Sequence, residues 1–273
     1  MNMISNHDAT FLSNMLEQNS GQAISPSRQW RFEATLKPIL RENSIPDIAT
    51  LVKLLASNSS QNLKNQCVEA MINNESSFFR DQPNFALLTG PVLDNVREQN
   101  IDSKHIRIWS AACSHGQEPY SIAMSILQNQ EKWRGWTVEI LATDISMSAL
   151  QKAKTGQYSQ FEVQRGLPVG LMIKYFTQNG DQWTISEHVR NMVHFEKQNL
   201  LEKSLSIGKF DIILCRNILM YFNSDNKHKV LSNISYNLKP DGFVMLGSAE
   251  TVIGQSDELV SSNCFRGFYC INR

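Results

Sequence analysis

The sequence predicts an α/β fold: a doubly wound, mostly parallel sheet carrying a small β insertion, preceded by a small all-helical unit. Three observations predict it. From about residue 105, short apolar runs alternate with stretches of helical period, the pattern of a parallel sheet covered on both faces. Before residue 75 glycine occurs once, at Gly21, and the apolar spacing is helical. Between those regimes of the sheet, Asn179-Gly180 sits between two strand-like runs, a strong hairpin signal.

The elements follow in chain order. Residues 1–24 are rich in Asn and Ser and are expected to be a flexible segment, with at most one loose helix around Phe11 to Leu16. A helix is expected over Arg28 to Arg41. Pro46 and the run after it predict another, with Ser44 or Ile45 near its cap and Ile48, Leu51, Leu54 and Leu55 on one face. Asn62 to Met71 aligns Leu63, Cys67, Ala70 and Met71 on a third. The helical unit therefore spans 25–75. In the second part, Ile106 to Ala112 reads as a strand, Gln117 to Gln128 as a helix, and Thr137 to Asp144 as a second strand. Ser146 to Thr155 reads as a helix with Ser146 as its cap. The hairpin at Asn179-Gly180 is flanked by Ile173 to Phe176 and Trp183 to Ile185, which places the β insertion at about 170–192. Phe210 to Cys215 is a nearly continuous buried strand, Ser224 to Leu238 a helix, Asp241-Gly242 a turn, and Phe243 to Leu246 and Phe265 to Ile271 are closing strands.

Composition narrows the function. Lys+Arg and Asp+Glu are both 26, a net charge of zero, which argues against nucleic acid or a membrane surface as the partner, since both demand excess cations. No apolar run reaches the ~20 residues of a membrane span, and the first 20 residues have neither the basic nor the apolar region of a signal peptide. Five cysteines, odd in number and without a CxxC pair, read as reduced thiols of a cytoplasmic protein. The six histidines suggest no metal set.

Candidate chemistry sits at strand ends, where open parallel sheets bind ligands. The first strand runs into Ala112-Cys113-Ser114-His115-Gly116-Gln117-Glu118, a small-residue turn into a helix. Such a turn presents backbone N–H groups to a ligand; the plain alternative is an ordinary turn capped by Ser114. The second strand ends in Asp144, where a carboxylate can accept both hydroxyls of a ribose; the alternative is that Asp144 caps the next helix. His115 has no recognisable catalytic partner and reads as loop wall. Cys113 and Cys215 read as packing residues. Arg216 and Asn217 directly follow a buried strand, where polar groups are costly unless paired. Asn74 to Asp81 joins the two units; Phe78-Phe79 could be a packing plug and Arg80 a surface charge.

Together these segments closely resemble the CheR family, the S-adenosylmethionine-dependent methyltransferases of bacterial chemoreceptors. Four blocks match in order: NESSFFRD at 74–81, IWSAACSHGQEPYSIAM at 108–124, LATDI at 141–145, and FDIILCRNILMYF at 210–222 with LKPDG after it. The resemblance runs from about residue 25 to the end. It implies a Rossmann-like methyltransferase domain over 76–273, with a seven-stranded doubly wound sheet and a β-subdomain. It implies S-adenosylmethionine as cofactor, S-adenosylhomocysteine as product, and methyl esters on receptor glutamates as the outcome.

Site residues transfer from the resemblance position by position. Asn74, Ser76 and Arg80 belong to the cofactor site, the last two near its amino-acid end. Ala112 and Glu118 line it from the first loop. Asp144 takes the ribose, and Asn199 and Leu200 sit by the adenine. Arg216, Asn217 and Tyr221 form the crevice wall where methyl and glutamate meet; Arg80 and Tyr221 are the expected catalytic positioning residues. The chain departs from the family at His115-Gly116-Gln117-Glu118 (commonly Thr-Gly-Glu-Glu), at Gly247-Ser248-Ala249-Glu250 (commonly Gly-His-Ser-Glu), at Ser76 for Thr and at Asp81 for Glu. The implied partner is the receptor's cytoplasmic helical bundle, docked on the helical unit. In some members a receptor C-terminal peptide also adds to the β-subdomain, and no residue here decides that. A monomer is the default expectation. Two rivals stay open: the same fold acting on another substrate, or an inactive module that senses the cofactor.

Overall fold

The computed structural model describes residues 4–57, 60–203 and 207–273. The chain divides into two compact units, residues 1–73 with 221–226, and residues 74–220 with 227–273.

The first unit is built of α1 (Asn6–Ser20), a 3-10 turn (Pro26–Arg28), α2 (Arg31–Glu42), α3 (Ile48–Ala56) and α4 (Gln61–Met71). Their apolar faces bury Leu12, Leu16, Phe32, Leu36, Leu51, Cys67 and Met71. Within the segment expected to be flexible, Asn6–Ser20 thus forms a helix. Ser5 caps it by accepting from the Asp8 N–H at 3.1 Å, and Gly21 ends it in the left-handed region with its N–H on the Glu17 carbonyl. The cap of α3 is Asp47, at 2.7 Å from the Thr50 N–H, not Ser44 or Ile45. The unit is completed by a distant stretch: Gln22 bridges Phe222, the Ala23 N–H donates to the Tyr221 carbonyl, and Asn223 Nδ2 donates to Glu17.

The second unit opens with α5 (Gln82–Leu87), a π turn (Leu88–Val92) and α6 (Leu93–Gln99), none of them read from the sequence. The alternating part follows: β1 (His105–Ala111), α7 (Gln117–Gln128), β2 (Thr137–Asp144) and α8 (Met147–Thr155). A three-stranded sheet, ordered β3-β5-β4, comes from β3 (Gln157–Ser159), β4 (Phe176–Asn179) and β5 (Gln182–Ile185). The short α9 (Gln160–Gln164) and α10 (Val169–Tyr175) lie between its strands in sequence. The insertion thus begins near residue 157, and Ile173 to Tyr175 close a helix where a strand was expected. The chain returns through α11 (Glu187–Arg190), β6 (Val193–Lys197), β7 (Phe210–Cys215), α12 (Ser224–Asn237), β8 (Leu238–Leu246), β9 (Leu259–Ser261) and β10 (Phe268–Ile271).

The main sheet has the order β6-β2-β1-β7-β8-β10-β9. The first five strands are mutually parallel; β10 runs antiparallel to β8, and β9, antiparallel to β10, points the same way as the five. All six residues of β7 are buried, as expected for a central strand covered on both faces. Its one charge, Asp211, accepts from the Arg107 N–H, Asn100 Nδ2 and Lys239 Nζ at 2.8–2.9 Å, so the buried carboxylate is satisfied. Asp241-Gly242 is no turn: β8 runs through it with a bulge, since Leu238 pairs with Phe210 and Phe243 already pairs with Ile212. Strand order reverses between β1 and β7, and the crevice at that switch point is where such sheets hold ligands.

Candidate functional site

The site forms at the carboxyl ends of β1, β2, β6, β7 and β8. Seven non-glycine residues have clearly positive φ among the described residues, and five of them (Phe79, Asp81, Ala112, Ser114, Asn217) lie on the loops gathered here. Backbone strain concentrates where a structure is held for function.

The first loop leaves β1 through Ala112 (φ +60°), Ser114 (φ +52°) and Gly116 (φ +86°). It is pinned by Cys113 N–H to the Thr143 carbonyl at 2.9 Å and Ser114 N–H to Asp144 Oδ2 at 2.7 Å. The residue at the head of α7 is Gly116, without a side-chain cap. A Cβ there would lie 3.0 Å from Ala153 and 3.2 Å from the Phe195 and Tyr120 rings. Ser114 caps nothing; its hydroxyl donates to the Asn74 carbonyl at 2.6 Å. Asp144 is buried and accepts from the Ser146 N–H at 2.9 Å, while Ser146 itself caps α8 through Ala149. Asp144 is therefore a loop-binding carboxylate and not the cap. Next to it, the Gln198 N–H continues the β2–β6 pairing onto the Asp144 carbonyl. Asn199 Oδ1 then accepts from the Leu201 N–H at 3.0 Å, and Leu200 is buried.

Arg216 answers the question its position raised. Its side chain is 2% exposed. Nη1 donates to Glu118 Oε2 at 2.8 Å, and Nη2 donates to the Arg80 carbonyl at 2.7 Å and Asp81 Oδ2 at 2.8 Å. The other Glu118 oxygen accepts from the Ser110 hydroxyl at 2.8 Å. One guanidinium thus ties the Asn74–Asp81 block, the first loop's helix and the end of β7, with charge-assisted bonds.

Arg80 is different. It is partly exposed, its guanidinium reaches only the Glu75 carbonyl at 3.4 Å, and it forms no ion pair among the described residues. Glu75 pairs with Arg165 instead. Ser76 is partly buried beside it in sequence. The block is anchored by Phe78, fully buried, edge-on to Tyr158 at 5.0 Å and to Phe176 at 5.6 Å. Tyr158 also donates its hydroxyl to the His115 carbonyl at 2.7 Å.

Asn217 follows Arg216 in the left-handed region, and its N–H donates to Glu250 Oε2 at 2.7 Å. Tyr221 groups with the helical unit, and its hydroxyl is bonded with Asn73 Nδ2. Ser110, Asp81 and Glu250 are the participants sequence reasoning did not select, although all three lay in blocks it quoted.

No side chain here is set up as a nucleophile. Burial pushes the Cys113 thiol well up, with Asp144 and Glu118 adding to it. Burial does the same to Cys215, with Glu250 and Glu118 adding. Burial, then Lys152, lowers the His115 pKa, so the ring is neutral at pH 7. Among the described residues no group of His, Cys, Asp and Glu could hold a metal ion. No helix of the described residues is long and apolar enough to cross a membrane.

Residues 74–267 match the family described as "CheR methyltransferase, SAM binding domain". The chain is 36% identical over 267 residues to a chemotaxis protein methyltransferase of Vibrio anguillarum, covering 97% of this chain and 96% of that one. It is 34% identical to chemotaxis protein methyltransferase 1 of Pseudomonas aeruginosa, with 96% of each chain covered. To the chemotaxis protein methyltransferase of Borreliella burgdorferi it is 30% identical, covering 93% of this chain and 91% of that one.

Proposed function

The chain belongs to the CheR methyltransferase family, with S-adenosylmethionine as cofactor, and from that premise we propose that it methylates glutamate side chains of chemoreceptors to give methyl esters. The observation that carries the proposal is the crevice at the β1/β7 switch point. It offers a buried carboxylate at the end of β2 and a cation, Arg80, with no ion pair among the described residues, and it has no activated nucleophile.

The donor set fits the cofactor by chemistry. Asp144 is assigned to the ribose hydroxyls, and Asn199 and Leu200 to the adenine. Asn74, Ser76, Arg80, Ala112, Glu118 and Asn217 line the remainder, and Arg216 acts there mainly by holding Glu118 and Asp81 in place. When bound, S-adenosylmethionine supplies an electrophilic methyl group on its sulfonium.

The acceptor needs no base, because a glutamate with a pKa of about 4.3 is ionised at neutral pH. That explains why His115 and the buried thiols can be inert. What the protein must supply is alignment and exclusion of water, and alignment alone is worth ~7–11 kcal/mol of the barrier. Arg80 is assigned to orient carboxylate by charge-assisted hydrogen bonds. Tyr221 keeps the positioning role that the family resemblance implies.

The receptor is read as docking on the helical unit. Arg28, Arg31, Lys37 and Arg41 lie on α2 and the turn leading into it, and none forms an ion pair among the described residues. Arg31, Ala34, Lys37, Pro38 and Arg41 share one helical face, a basic stripe that the even charge count of the unit concealed. It suits an acidic helical bundle. The outer edge of β4 is open to a receptor C-terminal peptide by strand addition, and such a target places the reaction in the cytoplasm.

The test is transfer of labelled methyl from S-adenosylmethionine to a panel of receptor cytoplasmic fragments, with release of the label by mild base. Base-labile label on a receptor is expected, and Arg80→Ala should lose most of it while Tyr221→Phe loses less. Cofactor binding without transfer to any receptor would replace this reading with another substrate or a sensing role.

A further inference from the structure

The loop after β8 reads Gly247-Ser248-Ala249-Glu250, and it closes on itself through the Glu250 N–H on the Gly247 carbonyl at 2.9 Å. The Glu250 carboxylate then turns inward. Oε2 accepts from the Gly247 N–H at 2.8 Å and the Asn217 N–H at 2.7 Å, and Oε1 accepts from the Met220 N–H at 3.3 Å. One side chain therefore collects three main-chain donors from the loops that leave two neighbouring strands, paired up to Cys215 and Leu246.

Residue 247 has to be glycine for this to happen. A Cβ there would sit 2.7 Å from Glu250 Oε2, 2.7 Å from Asn217 Nδ2 and 3.0 Å from the Asn217 nitrogen. Asn217 itself is held at φ +60°, a conformation that persists only when its surroundings determine it. Arg216 is fixed by its own three bonds. Asn217 gets its main-chain anchor from Glu250.

We infer that Glu250 is a positioning residue for cofactor binding: its carboxylate fixes the left-handed turn at Asn217 and so sets how that residue faces the crevice. The inference rests on the reading of Asn217 as a cofactor contact. Removing the carboxylate leaves two closely held N–H groups without an acceptor, and the turn is free to relax. A glutamine keeps one oxygen for the two short bonds and sacrifices only the 3.3 Å contact to Met220. An aspartate keeps the charge but is one methylene short of both donors.

The experiment measures S-adenosylhomocysteine affinity by titration calorimetry on the full chain, together with kcat, KM and the thermal midpoint. Glu250→Ala is expected to weaken binding by about tenfold or more while staying folded at the assay temperature; Glu250→Gln is expected to return to within about threefold of the parent. The loss should fall on KM for the cofactor rather than on kcat, a split that mere destabilisation does not produce. Should Glu250→Ala fail to fold, Glu250→Asp takes its place with the same expectation. Parent-like affinity in the alanine or aspartate variant, or a glutamine variant no better than it, overturns the inference. Asn217→Ala and Asp144→Ala are run alongside. If both bind normally, the assignment of the crevice fails; if both lose binding while Glu250→Ala does not, only the role of Glu250 fails.

Discussion

Replacing Arg216 by methionine should destabilise the sheet unit by about 3 kcal/mol. The guanidinium is 2% exposed and serves Glu118, at 14%, and Asp81, at 25%. Removing one partner of a buried ion pair costs about 3–5 kcal/mol, because a buried charge is left uncompensated. Asp81 can recover water at its partly open position, whereas Glu118 keeps only the Ser110 hydroxyl, which puts the expectation at the lower end. For a unit of this size each kcal/mol moves the midpoint by about 2–4 °C, so a fall of roughly 6–12 °C is expected. Four of the five tryptophans (Trp109, Trp133, Trp136, Trp183) lie in that unit, so tryptophan fluorescence during thermal or urea unfolding reports it. Adding Glu118→Gln to Arg216→Met should cost less than it does alone, with a coupling of about 1–3 kcal/mol. A drop below about 1 kcal/mol, the level of a surface pair, or strict additivity, would refute the strut described for Arg216.

Gly166→Ala should lower the urea midpoint of the sheet unit by at least about 2 kcal/mol equivalent, since φ is +90° and the new Cβ would fall 2.2 Å from the Phe78 carbonyl oxygen; unchanged stability would contradict that contact. Burial holds the His115 pKa below its ordinary value, so the unfolded chain takes up the proton first as pH falls. The neutral ring's contribution is fully present above about pH 6.5 and is lost as pH drops through the lower folded-state value. Stability measured between pH 7 and 5 should therefore fall less in His115→Gln than in the parent. A thiol reagent at pH 8 should label exposed Cys264 first and half-buried Cys270 more slowly, leaving Cys67, Cys113 and Cys215 unmodified until the chain unfolds; fast labelling of Cys113 would mean an open first loop.

Local signals carried most of the fold. The run Phe210 to Cys215 was legible as a strand because a central parallel strand is apolar on both sides, and its bounds agree with the residues observed. Asp144 was legible as the end of β2 because a charge stops the apolar run. Errors arose where tertiary contact overrode local preference. Asp241-Gly242 has turn chemistry, yet pairing with β7 carries the strand straight through it. Ile173 to Tyr175 is apolar enough for a strand, but Pro168 heads a helix there. The N-terminal helix was hidden by polar composition, although Ala9, Leu12 and Leu16 keep a buried face. In the site, chemistry was legible and partnership was not. An arginine after a buried strand must be paired, but its partners Glu118 and Asp81 lie 98 and 135 residues away in sequence. Glu250 gave no such cue, because its carboxylate bonds only main-chain N–H groups.

The helical unit is assembled from two pieces of chain, and the tie between Asn73 and Tyr221 spans 148 residues. At synthesis rates of about 5–20 residues per second, the later piece emerges roughly 7–30 s after the four helices. Until then Gln22 has no Phe222 to bridge, and Glu17 lacks Asn223. Closing that distance costs entropy that only a folded intervening segment can reduce. The order of events on the ribosome is thereby constrained: a nascent helical bundle waits, and is completed only after β7 has been made. A fragment cut at Asn73 would stop at that waiting stage, whereas a chain broken at the Asn179-Gly180 hairpin still contains both residues of the tie.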